Sequence, residues 1–420
     1  MSNGKVGRRS FLRVTATAAA AAPYVLTSQA LGGPDKAAAS ERLNMASIGF
    51  RGQGGGHFRA LLGNRDVQVT GLCDVDRGVL YKGLERTAKG TFGTSDYREL
   101  LAKVPLDGVV IATPDHWHVP ISMAAIKAGA DVYCEKPLTL TIREGRRLSD
   151  AARRYRAVFQ TGSQQRSGRQ FRQACELVRN GYLGKIHTVK VGIPTRAGSA
   201  APWTPQPVPE DFDYEMWLGP APWAPYHPDR CHYKFRFVRD YSGGDITNWG
   251  AHHLDIAQWG LGADDAGPIA VEGHGDYNKT GLHNVFHNVH VEFQYPGGVK
   301  LILDRGGGTE FIGDKGSVYV SRGTLRAEPA SLLKVKFKPG DVRLMASGSH
   351  MGQFLRAIRT REATICPAEV GHRSATVCHL SNIAMTLRRP LKWDPKAEVF
   401  PGDEEATRMT WRPRREPWRL

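Results

Sequence analysis

Ile48-Gly49-Phe50-Arg51-Gly52-Gln53-Gly54-Gly55-Gly56-His57 joins an apolar run that starts at Met45 to an amphipathic segment. Glycine at such a junction allows a tight turn and lets backbone amides approach a pyrophosphate at the start of the following helix. Gly49 and Gly54 fill the first and third positions of Gly-x-Gly-x-x-Gly, and Arg51 stands at the second. A flexible turn would look similar, but Asp74 closes the next apolar run. A carboxylate there accepts hydrogen bonds from adenosine ribose hydroxyls and repels a 2′-phosphate. The expected cofactor is therefore NAD rather than NADP, with Arg77 tempering the preference.

Outward from this loop, strand-like runs at Met45–Phe50, Val67–Val75, Gly108–Thr113, Asp131–Glu135 and Ala157–Thr161 alternate with helical segments. The helical segments are His57–Leu62, Arg77–Ala88, Tyr97–Ala102, Pro120–Ala128 and Ile142–Tyr155. Such alternation predicts an α/β fold with a doubly wound parallel (Rossmann) sheet. The pattern then changes. Gln170–Asn180 reads as a helix and Ile186–Ile193 as a strand, and 194–230 is rich in Pro, Trp and Gly. Val285–Tyr295 and Val299–Arg305 flank Pro296-Gly297-Gly298 as a hairpin. Phe311, Ser317–Val320 and Thr324–Ala327 continue a meander, and Met351–Arg361 and His372–Arg388 read as helices. The second unit is expected to be α+β, with a large, open, mainly antiparallel sheet turned toward the first domain.

Arg8-Arg9-Ser10-Phe11-Leu12, an Ala-rich run to Ala22 and Ser28-Gln29-Ala30 form a charged start, a short apolar stretch and a cleavable exit. That describes a secretory signal of the twin-arginine type. The apolar run is far below the roughly 20 residues of a spanning helix, so no stable membrane insertion is expected after cleavage. The divisions are 1–30 for the signal, 31–42 for a linker and 43–165 for the nucleotide domain. The substrate-binding and oligomerisation domain follows at 166–390, and 391–420 forms a tail packed on the body. The formal charge of +16 comes without a nucleic-acid-binding motif, so a solvated basic surface is expected and no nucleic-acid partner. Six cysteines lack a Cys-x-x-Cys pair, and free buried thiols are expected, with a Cys366–Cys378 bridge left open.

Two clusters fall at the carboxyl ends of predicted parallel strands: Thr113-Pro114-Asp115-His116-Trp117-His118 and Glu135-Lys136-Pro137. Doubly wound folds bind ligands there. A lysine beside an oxidised nicotinamide has its pKa lowered by desolvation and by the ring's charge, so it can exchange a proton with a sugar hydroxyl. A third cluster runs from Gly243 to Asp255 as Gly-Gly-Asp-Ile-Thr-Asn-Trp-Gly-Ala-His-His-Leu-Asp. On a helix, Asn248, His252 and Asp255 share one face, presenting a histidine acid/base among polar neighbours. A capping network and a zinc site from His252, His253 and Asp255 are the alternatives. Adjacent histidines diverge on a helix, and no metal is expected.

The glycine loop, Asp74, Thr113-Pro114 with His118, Glu135-Lys136-Pro137 and Gly250-Ala251-His252-His253-Leu254-Asp255 resemble the glucose-fructose oxidoreductase/inositol dehydrogenase family. The resemblance runs from about Leu43 to the C-terminus and is nearest to an exported, twin-arginine branch. Leu391-Lys392-Trp393-Asp394-Pro395 and Phe400 to Trp418 resemble that branch's tail. The resemblance implies cofactor contacts from Gly49, Phe50, Arg51, Gly54, Asp74, Thr113, Pro114, His118, Glu135 and Lys136. It implies Lys136 and His252 as the catalytic pair, with Asp255 supporting His252 or touching substrate. Gln164, Arg166, Tyr241 and Asn248 are its substrate-side candidates, with Gln165 and Trp203 nearby. Asn248 stands where the family often has aspartate, and Phe50 and Arg51 are left to offer backbone amides where the second glycine is missing. A cis Lys136–Pro137 bond is implied as well.

The function so implied is an exported, periplasmic NAD(P)-dependent oxidoreductase acting on a CH–OH group of a sugar or cyclitol, as a homo-dimer or homo-tetramer. A glycoside hydrolase working through a transient keto-sugar and an inactive sugar-binding protein are the competing readings.

Overall fold

A computed structural model describes residues 38–419. The signal at 1–30 and most of the linker lie outside the described residues.

The strands β1 (Leu43–Ile48), β2 (Val67–Cys73), β3 (Phe92–Thr94), β4 (Gly108–Ile111), β5 (Asp131–Cys134) and β6 (Phe159–Thr161) form one parallel sheet. Its order is β3-β2-β1-β4-β5-β6, so the winding of successive strands across the sheet switches sides between β1 and β4. Ligands of doubly wound sheets bind in the crevice that such a reversal opens. β4 and β5 are buried along their whole length, as a sheet covered on both faces demands. The sequence pattern missed β3, whose three residues are too few to show a period.

Helix α1 (Gly52–Leu62) begins inside the glycine loop. α2 (Arg77–Leu84), α3 (Tyr97–Lys103), α4 (Asp115–Lys127) and α5 (Ile142–Arg154) supply the crossovers. α4 starts five residues before Pro120, which the sequence reading took for its first turn. Pro120 removes one hydrogen bond inside the helix, and burial of His116, Trp117 and His118 in the preceding turn outweighs that loss.

After α6 (Arg169–Arg179) and β7 (Ile186–Ile193), the chain passes through short α7 (Tyr214–Leu218), α8 (Asp245–Asn248) and α9 (Gly250–Leu261). Strands β8 (Ala270–Tyr277), β9 (Phe286–Tyr295), β10 (Val299–Arg305), β11 (Gly308–Gly313), β12 (Gly316–Ser321) and β13 (Thr324–Glu328) follow. With β14 (Leu391–Lys392) they make an eight-stranded sheet ordered β13-β12-β11-β7-β10-β9-β8-β14. Among the described residues β10 pairs with β7 in parallel and the other ladders are antiparallel. β8 escaped the sequence reading because Gly273 and Gly275 dilute its pattern; a Cβ on Gly273 would lie 2.8 Å from the His290 carbonyl oxygen.

One face of this sheet packs on α6, α9 and the largely buried α11 (Ala368–Leu387). These helices stand between the sheet and the first domain, so the sheet does not itself face that domain as expected. Helix α10 (His350–Thr360) comes late in the chain but packs Phe354, Leu355 and Ile358 with Met45, Val110 and Tyr133 of the first sheet. The tail also spans both units: Trp393 and Phe400 join the second core, and Trp418 meets Trp117 edge-on at 5.0 Å. All six cysteines are buried and free, so the Cys366–Cys378 bridge is not formed. No described helix is long and apolar enough to cross a membrane.

Candidate active site

Gly49 adopts φ +71°, and a Cβ there would come within 2.9 Å of Thr113 Cγ2. A Cβ on Gly54 would lie 2.2 Å from the Gly49 carbonyl oxygen. The loop therefore closes on itself at the two glycines that match the motif. Gly54→Ala is expected to cost about 1–3 kcal/mol through overpacking, lower the melting temperature and weaken nucleotide retention. Thermal melts with and without added NAD check this.

Asp74, at the end of β2, accepts hydrogen bonds from the Phe50 amide (3.1 Å) and the Asp76 amide (3.0 Å). Burial is the main cause that lifts its pKa to about 6, against those two amide bonds. The Phe50 amide is thus spent inside the protein, and Phe50 packs its ring against Phe58 at 5.3 Å. This corrects the assignment of Phe50 as a cofactor contact: a carboxylate so close captures the nearest free amide. Arg51 caps α1 with extended backbone, and its Nη1 reaches Asp76 Oδ2 (2.8 Å) and His232 Nδ1 (3.0 Å).

Gly49, Arg51, Asp74, Thr113, Pro114, His118, Glu135, Lys136, Gln164, Asn248 and His252 line one continuous cavity of about 930 Å³. Glu135 is locked in place, accepting from Gln164 Nε2 (2.6 Å) and meeting His57 Nε2 at 2.7 Å. Burial would raise its pKa, but His57 and Lys136 outweigh that and hold it below the usual carboxylate value. His118 bridges the Pro137 carbonyl (Nδ1, 2.7 Å) and the Thr113 carbonyl (Nε2, 2.9 Å), fixing the two strand ends together. The Lys136–Pro137 bond is cis.

Lys136 Nζ donates to Asn248 Oδ1 (3.1 Å) and to the Asn248 carbonyl (3.2 Å). Burial lowers its pKa despite Glu135 and Asp115. His252, in the first turn of α9, is 6% exposed, and its Nδ1 is buried without a partner. Burial, then the charges of Lys136 and Arg322, push its pKa well below the ordinary histidine value, which favours the neutral ring. Asn248 belongs to the separate α8, and the break at Trp249 turns its side chain to Lys136.

Three expected site residues lie elsewhere. Asp255 is fully buried, makes a bidentate pair with Arg166 (2.8–3.0 Å) and accepts from Ser374 Oγ (2.7 Å). Arg166 is 1% exposed and also reaches Asp264 Oδ1 at 2.7 Å. Neither lines the cavity, because a fully buried guanidinium needs carboxylates around it. Tyr241 is likewise buried, hydrogen-bonded to Arg230 Nη1 (3.3 Å) and packed on Trp217. Conversely, Asp115, Arg236, Trp249 and Arg322 line the cavity without having been assigned a site role, and Gln165, expected beside the substrate-side candidates, lines it too. Of the unassigned four, Asp115 and Trp249 carried a signal, since both lie inside motif clusters, and Arg236 and Arg322 carried none. Among the described residues no group of three or more His, Cys, Asp or Glu is placed to hold a metal.

Fold and site together define a two-domain α/β protein shaped to hold a dinucleotide against a half-buried lysine and a buried histidine. Residues 43–163 match an oxidoreductase family with an NAD-binding Rossmann fold, and residues 169–420 match the C-terminal alpha/beta domain of the same family. The chain belongs to this Gfo/Idh/MocA oxidoreductase family.

Among curated relatives, a glycosyl hydrolase family 109 protein of Shewanella pealeana is 29% identical over 206 residues, 43% of this chain and 44% of its own length. Another, glycosyl hydrolase family 109 protein 2 of Shewanella sp. (strain ANA-3), is 32% identical over 203 residues, again 43% and 44%. The chain thus spans less than half the length of these relatives. Among solved structures, the WlbA dehydrogenase from Bordetella pertussis in complex with NADH and UDP-GlcNAcA superposes with a TM-score of 0.63 at 15% identity. That match covers 84% of this chain and 99% of the other. The aldose-aldose oxidoreductase from Caulobacter crescentus, complexed with glycerol, gives a TM-score of 0.61 at 17% identity, with coverages of 84% and 99%. At these identities the likeness is one of fold.

Proposed function

We propose that this chain is a nicotinamide-dependent oxidoreductase that removes a hydride from a carbinol carbon of a sugar or cyclitol. The observation that carries the reading is that Lys136, Asn248 and His252 converge on the cavity that also holds Gly49, Arg51 and Asp74. The residues suit a dinucleotide. Gly49 and Gly54 leave no room for a Cβ, and Thr113 Oγ1 and both polar atoms of the Gln165 side chain are buried without partners. Asp74 favours NAD over NADP. When bound, the oxidised nicotinamide supplies the acceptor for the departing hydride. Lys136 in its neutral form takes the hydroxyl proton, leaving a carbonyl, and burial makes that form accessible. Neutral His252 hydrogen-bonds the reacting oxygen, and Asn248 keeps its Nδ2 amide free for a sugar hydroxyl.

The test is to purify the mature chain, identify any released nucleotide by mass spectrometry, and follow its reduction on adding sugars. If no nucleotide is released and none binds when added, the reading fails. Asn248→Asp provides a further check. A carboxylate 3.1 Å from Nζ favours the ammonium and raises the Lys136 pKa. A group that must be neutral to act is then protonated over a wider acidic range, so the acid limb of the rate–pH profile is expected to move to higher pH.

The names of the curated relatives support a second reading. Transient oxidation of a ring hydroxyl acidifies the neighbouring C–H, the aglycone is eliminated, and water addition with re-reduction completes hydrolysis. Lys136 and His252 would serve equally. Release of nitrophenol from a nitrophenyl glycoside without accumulation of reduced nucleotide selects it, whereas retained nucleotide without turnover leaves a sugar-binding protein. We further propose export by the twin-arginine route, on the strength of Arg8-Arg9-Ser10-Phe11-Leu12, and assembly as a dimer or tetramer; fractionation of an Arg8→Lys/Arg9→Lys variant and light scattering test these.

A further inference from the structure

We propose that the substrate is an acidic sugar whose carboxylate or ester sulfate seats between Arg236 and Arg322. This rests on the oxidoreductase reading for the identity of the site and names the substrate class.

Arg236 lies in the 3₁₀ turn His232–Phe237 and Arg322 in the turn between β12 and β13, and both line the cavity with Lys136 and His252. The acids that line the same cavity are already engaged. Asp74 accepts from two backbone amides, Asp76 from Arg51, Asp115 from Ser242, and Glu135 from Gln164 while it meets His57. Neither Arg236 nor Arg322 forms an ion pair with a carboxylate among the described residues, whereas neighbouring Arg196 is paired with Asp245 at 2.6 Å.

Aromatic rings hold the two guanidiniums instead. Arg236 stands over Tyr233 at 3.8 Å, and Arg322 over Trp249 at 5.1 Å. Stacking fixes the plane of a guanidinium and leaves its edge N–H groups for a planar or tetrahedral oxyanion. The buried Nε of Arg236 has no partner. Both charges bear on Lys136, and Arg322 also bears on His252. Glu135 and Asp115 offset Lys136, and Asp115 also attracts Arg236. Neither arginine has a carboxylate within ion-pair distance among the described residues, however, and a bound anion relieves the repulsion among the cations that face this void. A neutral sugar would leave them in place while displacing their water.

The experiment measures binding of D-galacturonate, D-glucuronate and D-glucose 6-sulfate against D-galactose and D-glucose. Titration calorimetry on the nucleotide-bound protein at low salt serves, with nucleotide reduction followed in parallel. The wild type is expected to bind at least one acidic sugar about tenfold or more tightly than its neutral counterpart. Arg322→Gln and Arg236→Gln should each erase most of that ratio, Arg322→Lys should keep part of it, and added salt should shrink it. Preference for the uronates or for the sulfate tells which anion is read. Equal binding of acidic and neutral sugars overturns the proposal, as does an unchanged ratio in a folded Arg322→Gln. If Arg236→Gln instead loosens the nucleotide and leaves the ratio intact, Arg236 serves the cofactor's phosphates and the two-arginine site falls. Arginine-dependent binding of acidic sugars with no nucleotide reduction sinks the oxidoreductase reading alone; reduction by neutral sugars only sinks the acidic-substrate proposal alone.

Discussion

Lys136→Ala is expected to slow nucleotide reduction by about 10²–10⁴-fold, the usual contribution of a positioned acid/base, and to leave the nucleotide in place. The side chain spans the gap between the two domains: its backbone follows β5, and its Nζ is held by both oxygens of Asn248. Truncation at Cβ removes the proposed proton acceptor and leaves the glycine loop and Asp74 as they are, while Glu135 keeps His57 and Gln164 as partners. Single-turnover reduction of bound nucleotide, with the nucleotide counted after denaturation, separates chemistry from binding. A variant that keeps full turnover would remove Lys136 from the mechanism. One that loses its nucleotide in proportion to its rate would make Lys136 a binding residue. His252→Ala is expected to follow the same pattern, because the lost ring faces the same void.

Asp255→Ala is expected to unfold the protein more readily, by about 3–5 kcal/mol, because it strands a buried guanidinium. Arg166 is 1% exposed, and Asp255 supplies its bidentate partner from the middle of α9. Burial disfavours the Arg166 charge, yet Asp255 and Asp264 together outweigh it and hold the guanidinium protonated. With Asp255 gone, Asp264, which is a third exposed, is the remaining anion beside it. Chemical denaturation shows the loss as a lower midpoint. The double variant Arg166→Met/Asp255→Leu, which removes both charges, should recover much of the stability. A stable Asp255→Ala protein with impaired turnover would instead restore a direct catalytic role to the residue.

This case shows where sequence reading stops. Gly49, Asp74 and Lys136 were legible because the ends of parallel strands dictate where their side chains go, and the periodicity that locates the strands is local. His252 was legible from its motif. Asp255 sits three residues further on the same helix, and spacing alone placed it with His252. Its direction was decided by Arg166, 89 positions away in sequence, which no local pattern reports. Arg322 failed for a related reason. It is a surface turn residue by any window, and it faces the cavity only because the second sheet brings the β12–β13 turn up to Trp249. Tyr241 illustrates the reverse error: the resemblance made this loop aromatic a substrate-side candidate, but its hydroxyl is bonded to Arg230 and its ring packs on Trp217.

The placement of α10 sets an order of events during synthesis. A nascent chain that has emerged as far as residue 165 carries every strand of the first sheet, yet still lacks Phe354, Leu355 and Ile358, which cover Met45 and Val110. It also lacks His350, whose carbonyl accepts from Gln160 Nε2 at 2.7 Å and whose Nε2 lies 2.9 Å from the Thr161 carbonyl. The nucleotide domain is therefore finished only when residues 350–360 have been made, and residues 43–165 expressed alone keep an apolar face open to solvent.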